Sequence, residues 1–156
     1  MKYLDERIIP YEGLDTFKFG MSLESVRSEL KDNHIAFNQC TNTKDDSHPE
    51  IERVYIKIGD SISLYFANSI LYEIILENDF RGVLPNGCCI GFDMDELETI
   101  DRMLKYDDDE EAFISSAGYL IIDDIETKKV SLIEIYIPEV ENEEEYFTYE
   151  WLKKYQ

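Results

Sequence analysis

Apolar and polar positions follow two rhythms along the chain, and the rhythms appear twice in the same order. Gly20, Met21, Ser22, Leu23, Glu24, Ser25, Val26 and Gly91, Phe92, Asp93, Met94, Asp95, Glu96, Leu97 agree position by position: glycine, apolar, cap former, apolar, acid, polar, apolar. Each run predicts a helix start, with Ser22 and Asp93 as N-caps and acids in the first turn, where the helix dipole favours them; Asp93 with Glu96 has capping-box spacing. Leu23, Val26 and Leu30 recur at i, i+3, i+7, and Met94, Leu97 and Leu104 at i, i+3, i+10. Each set therefore forms one apolar face.

After each helix the period falls to two. Ser61–Ala67 alternates with Ile62, Leu64 and Phe66 on one face, Ala67–Ser69 turns the chain, and Leu71–Leu76 returns as the second strand of a hairpin. In the second unit Gly118–Ile122, a turn at Asp123–Lys128 and Leu132–Ile137 predict the same hairpin, with Leu132–Ile137 as the counterpart of Leu71–Leu76. The polar stretch Asn38–Pro49 reads as an extra loop of the first unit, and Arg53–Ile58 adds a strand with Val54, Ile56 and Ile58 on one face. From Asn142 to Tyr155 the chain has a cap former, three glutamates, two late lysines, and Phe147, Trp151 and Tyr155 at i, i+4, i+8. That pattern predicts a C-terminal helix over about 142–155. The expected fold is α+β in one domain over 1–156: two helix-plus-antiparallel-hairpin repeats, about 13–80 and 87–138, forming one sheet with both helices on one face, plus that C-terminal helix.

Charge changes this picture from a fold to a function class. The chain carries 35 Asp plus Glu against 15 Lys plus Arg in 156 residues, a formal net charge of −20, with a pI near 4.3. Phosphates would meet a repulsive field, so direct nucleic-acid or anionic-membrane binding is not expected and a basic partner is. With 44% hydrophobic residues the chain has the means to bury a core in spite of its acidity. The asymmetry is strong: residues 1–78 carry −6 and residues 79–156 carry −14. The opening residues lack an apolar signal run, and no apolar stretch is long enough to cross a bilayer. Three cysteines, two of them adjacent (Cys88 and Cys89), argue for reduced thiols and a cytoplasmic setting.

Catalytic chemistry finds little support. His34 and His48 fall in a turn and a polar loop and read as solvated, and no nucleophile elbow, metalloprotease helix, C-x-x-C pair or phosphate-cradling glycine run occurs. The run Asp107, Asp108, Asp109, Glu110, Glu111 is contiguous and lacks the glycine and alternation of a calcium loop. No catalytic residue, metal site or cofactor is expected.

The stretches IIPYEGLDTFKFGMSLESVRSEL, ISLYFANSILYEIILEND and GFDMDELETI resemble small bacterial immunity proteins of polymorphic toxin and contact-dependent growth inhibition systems. The tandem helix-plus-sheet units resemble the architecture of β-lactamase inhibitory protein, in which two such repeats make a protein-binding surface. The resemblance covers about residues 8–138 and implies a noncatalytic antitoxin that binds one toxin domain, often a basic nuclease, and occludes its active site. The expected toxin-facing field is Asp107, Asp108, Asp109, Glu110 and Glu111 with Asp123, Asp124 and Glu126, anchored by Tyr106 and Tyr119. The second choice is Glu143, Glu144 and Glu145 with Trp151. An acidic regulatory or scaffold module binding a basic host protein is the alternative. An enzyme working through carboxylates is the third reading, which a deep pocket holding a carboxyl of raised pKa would favour.

Overall fold

A computed structural model describes residues 1–42 and 47–156; part of the predicted polar loop, 43–46, lies outside them. The chain runs α1 (Leu23–Asp32), β1 (Asn38–Thr41), β2 (Arg53–Ile58), β3 (Ile62–Ala67), β4 (Ile70–Glu77), α2 (Met94–Ile100), β5 (Leu104–Asp107), β6 (Ala112–Ser115), β7 (Tyr119–Asp124) and β8 (Lys129–Tyr136). A 3-10 turn (Pro138–Glu141), α3 (Glu143–Thr148) and a second 3-10 helix (Glu150–Tyr155) complete it. All eight strands form one antiparallel sheet in the order β1-β2-β3-β4-β8-β7-β6-β5. The fold is α+β, as expected, but each repeat is a helix followed by four strands, not by a hairpin alone. Asn38–Thr41 is an edge strand and not loop, and Leu104 begins β5 instead of continuing the face of α2.

The repeat is exact enough in its hydrogen bonds to be read residue by residue. Ser22 accepts from the Ser25 amide at 3.0 Å, and Asp93 from the Asp95 amide at 3.2 Å. Gly20 N donates to Leu71 O and Leu71 N to Met21 O, at 2.9 and 3.0 Å; Gly91 N donates to Val130 O and Val130 N to Phe92 O, at 2.7 and 2.8 Å. Both glycines hold positive φ, +94° and +89°, which a side chain would strain. The counterpart of Leu71 is thus Val130, and Leu71–Leu76 does not correspond to Leu132–Ile137. The pairing slips within both hairpins where one residue of the returning strand, Tyr72 or Ser131, stands between paired neighbours. These β-bulges change which face the following residues meet, which periodicity alone does not register.

Helices α1 and α2 lie on one sheet face, where Leu23, Val26, Leu30, Met94 and Leu97 join Ile56, Leu64, Ile74, Ile121, Ile133 and Ile135 in the main core. The second face is divided. Its first half is covered by the C-terminal segment, with Trp151, Leu152 and Tyr149 on Ala67, Ile70 and Tyr72. The predicted continuous helix over 142–155 is broken there: Tyr149 adopts φ 56°, separating α3 from the 3-10 helix. Consequently Phe147 is half exposed while Trp151 is buried, and its indole N–H donates to Tyr146 O at 3.0 Å. No described helix is long and apolar enough to cross a membrane.

Candidate functional site

The other half of the second face, where Tyr11 and Val140 pack on Ala112, Leu120 and Tyr136, keeps an open groove of about 780 Å³. Its floor comes from the two central strands. Glu73 of β4 faces Tyr136 of β8 across the sheet, and Glu134 is two residues along β8 on the same face, the diagonal spacing at which long side chains meet. Both glutamates are half-buried. The bulge at Tyr72 lets Tyr72 and Glu73 share this face, because the slip cancels one step of the alternation.

Two carboxyl groups this close cannot both ionise cheaply. Burial first, then the charge of Glu134 and a hydrogen bond to it, holds the Glu73 carboxyl well above the usual carboxylate range; burial raises Glu134 as well, while the bond from Glu73 opposes that rise. Burial and the neighbouring carboxyl therefore favour the neutral form of Glu73 beside Glu134. Charged neighbours act on it from both sides: Arg53 of β2 favours ionisation of Glu73, and Glu110 of the β5–β6 turn opposes it. Tyr65 of β3 and Tyr136 of β8 sit in the field of both glutamates, as does Tyr146 of α3.

The walls bring in the predicted acids. Asp107 and Glu110 line the groove from the β5–β6 hairpin, and Glu141 and Glu143 line it from the C-terminal segment. With Glu73 and Glu134 this makes six carboxyl groups, against Arg102 and Lys105. Members of the first-choice and second-choice acidic clusters, distant in sequence, thus face one another across one groove. Glu144 and Glu145 are exposed on α3 but do not line it.

Asp108, Asp109, Glu110 and Glu111 are exposed at the β5–β6 tip, and Asp124 and Glu126 are exposed at the β7–β8 tip, with Asp123 half-buried at the end of β7. The register Phe113↔Ile121 and Ser115↔Tyr119 puts both tips at the same end of the sheet. The turns are built alike. Asp107 Oδ1 accepts from the amides of Asp109 and Glu110 at 2.9 and 3.0 Å, and Asp124 Oδ1 from those of Glu126 and Thr127 at 2.9 and 3.3 Å. Glu111 and Lys128 then take φ 52° and 56°. Asp107 and Asp124 are therefore turn formers as well as charges.

Two expected anchors are corrected. Tyr119 is buried at 2% exposure on the helix-bearing face; its hydroxyl donates to Asp101, which also accepts from Ser115 Oγ at 2.6 Å and Met103 N at 2.9 Å. Alternation with Ile121, another core residue, puts Tyr119 there. Trp151, at 1% exposure, belongs to the covered half of the second face. Tyr106 is half exposed and packs edge-on against Phe113, ring centroids 5.0 Å apart. His34 is exposed, whereas His48 is half-buried with Nδ1 3.1 Å from Glu50 and its ring against Tyr149.

Glu73 and Glu134 were not among the sequence-predicted site residues. Their signal is an acid inside an apolar strand, in LYEIIL and LIEIYI, which reads as a solvent-facing position until the C-terminal segment and β5 are placed beside it. Among the described residues no group of three His, Cys, Asp or Glu is arranged to hold a metal ion. No family model matches the chain, and no curated protein matches it.

Proposed function

We propose that the chain is an immunity protein that acts in the cytoplasm of a toxin-producing cell, where it binds and neutralises a cationic toxin domain, a nuclease, by occluding its active site. The observation that carries this reading is the groove that gathers carboxyl groups from both acidic clusters. A net charge of −20 repels itself, and a basic protein seated on this face relieves that repulsion. Opposite charge also accelerates encounter, toward about 10⁸–10⁹ M⁻¹s⁻¹ at low salt, which suits an inhibitor that must act before its target does. The test is to purify the toxin domain encoded beside this gene and measure its nuclease activity with and without the chain. Stoichiometric inhibition supports the reading; a neighbouring product that neither binds nor is inhibited refutes it. A basic host protein as partner is the alternative, and retention of that protein in place of a toxin domain distinguishes it.

A second reading draws on one observation, two half-buried glutamates side by side in an open groove with burial raising both, which is also an arrangement for acid–base catalysis. Turnover of a small substrate by the isolated chain, lost in Glu73→Gln, would select it.

A further inference from the structure

The two halves of the second sheet face are counterparts in the repeat, but only the first is covered by the C-terminal aromatic segment; the second is covered in part, by Tyr11 and Val140 on Ala112, Leu120 and Tyr136. Over the first half the chain lays its own C-terminal segment, and beneath that segment it places a cation: Arg53, at the start of β2, donates from Nη2 to Tyr72 OH at 2.9 Å and to Tyr146 OH at 3.4 Å. The second half has an open groove in place of the segment and, in the β5–β6 turn just before β6, the acid Glu110 in place of an arginine. Glu73 lies between the two halves, within the field of both Arg53 and Glu110. The covered half is thus closed by the chain's own C-terminal segment over an arginine, whereas the other half, beside the patch where Tyr11 and Val140 pack on Ala112, Leu120 and Tyr136, keeps an open groove with an acid at the place of that arginine.

Resting on the reading of the chain as the inhibitor of a basic protein, we infer that the open half of the second sheet face seats a basic segment of the partner polypeptide, one arginine or lysine of which meets Glu73, Glu134 and Glu110 as the counterpart of Arg53. Charge complementarity selects a basic occupant over an apolar one, since six carboxyl groups line the groove against two cations. Its volume of about 780 Å³ falls in the range of formed ligand sites. The C-terminal segment shows that a short stretch of chain, with aromatic side chains laid on the strands, is a fitting cover for this sheet. Tyr136 and Tyr146 are among the residues that line the groove.

The experiment uses a fluorescein-labelled deca-arginine peptide and polarisation titration of the full chain at low salt. Wild type is compared with Glu73→Gln/Glu134→Gln and with Glu96→Gln/Glu98→Gln, which alters two exposed acids of α2 on the opposite face. The groove variant is expected to bind at least about tenfold more weakly, and the α2 variant within about twofold of wild type. Circular dichroism melts confirm that each variant is folded, and the charge-conserving Glu134→Asp checks the groove where a double variant fails to fold. Equal weakening by the groove and α2 variants overturns the docking seat while leaving a general cation-binding surface intact. Absence of binding to wild type overturns the seat together with the reading on which it rests.

Discussion

Ile75 of β4 pairs directly with Glu134 of β8, and the two residues occupy the same position in the internal repeat. With Leu71 matched to Val130 and a bulge one residue later in each strand, Ile75 and Glu134 fall in step. The local twofold relation of the sheet therefore passes between them, at the seam of the two units. Apolar on one side and acidic on the other, this pair marks where the symmetric scaffold turns into an asymmetric site: Glu134 faces the groove, and the C-terminal segment closes only the half beyond.

Glu73 makes stability depend on pH in an identifiable direction. Its folded-state pKa lies above the unfolded value, so the native chain holds a proton that the unfolded chain releases as pH rises past the ordinary glutamate range near 4.5. Stability contributed by the neutral carboxyl is full below that value and is lost as pH climbs toward the raised pKa. Glu73→Gln keeps the neutral form at every pH. Its melting temperature is expected to exceed that of wild type at pH 8, with the gap closing toward pH 4.5; thermal melts of both proteins across that range check this. A constant gap contradicts it.

Tyr119 is a buried post of the fold, its hydroxyl bonded to Asp101. Tyr119→Phe removes a donor from Asp101, whose carboxyl sits below the usual range because hydrogen bonds from Ser115, Tyr119 and Met103 together outweigh its burial. The expected loss is about 1–3 kcal/mol of stability, with partner affinity unchanged. Denaturant unfolding and a binding titration of the same variant separate the two effects.

Within the acidic tips, position decides the role. Alanine at Asp107 or Asp124 removes the acceptor of two turn amides and is expected to cost about 0.5–1.5 kcal/mol. Alanine at Asp108 or Asp109 leaves stability near wild type. Reversing both Asp108 and Asp109 to lysine is expected to slow association with a cationic partner about tenfold at low salt and much less at high salt. Stopped-flow rates at two ionic strengths test this.

The C-terminal segment is held by its aromatic core. Trp151→Ala leaves a cavity among Tyr72, Tyr146, Tyr149 and Tyr155 and is expected to cost about 3–5 kcal/mol. At about 2–4 °C per kcal/mol for a chain of this size, the melting temperature falls by more than about 6 °C. Calorimetry measures it directly.

The helix starts and the repeat were legible because their causes are local: a cap, an acid in the first turn and a glycine with positive φ. The long strands followed from alternation in Arg53–Ile58, Ser61–Ala67 and Leu71–Leu76. Strands β1, β5 and β6 escaped notice because each has four residues and little apolar alternation, as in NQCT and LKYD; the neighbouring strand specifies them more than their own side chains do. Tyr149 broke the predicted tail helix without any Gly or Pro to announce it. For the site, charge pointed to the second half, and Asp107, Glu110 and Glu143 do line the groove. Glu73 and Glu134 stayed hidden because an acid in an apolar strand looks the same whether it faces water or the floor of a groove, and the groove is made by segments far away in sequence.

The most direct measurement is the number of protons released when a cation enters the groove. Titrating the chain with deca-arginine peptide at pH 7 in phosphate and in Tris buffer, whose ionisation heats differ, yields that number calorimetrically. A cation meeting the Glu73–Glu134 pair favours ionisation of the raised Glu73 carboxyl, so measurable proton release is expected in wild type and less in Glu73→Gln. Binding with equal observed heats in the two buffers, which means no proton released, would contradict it.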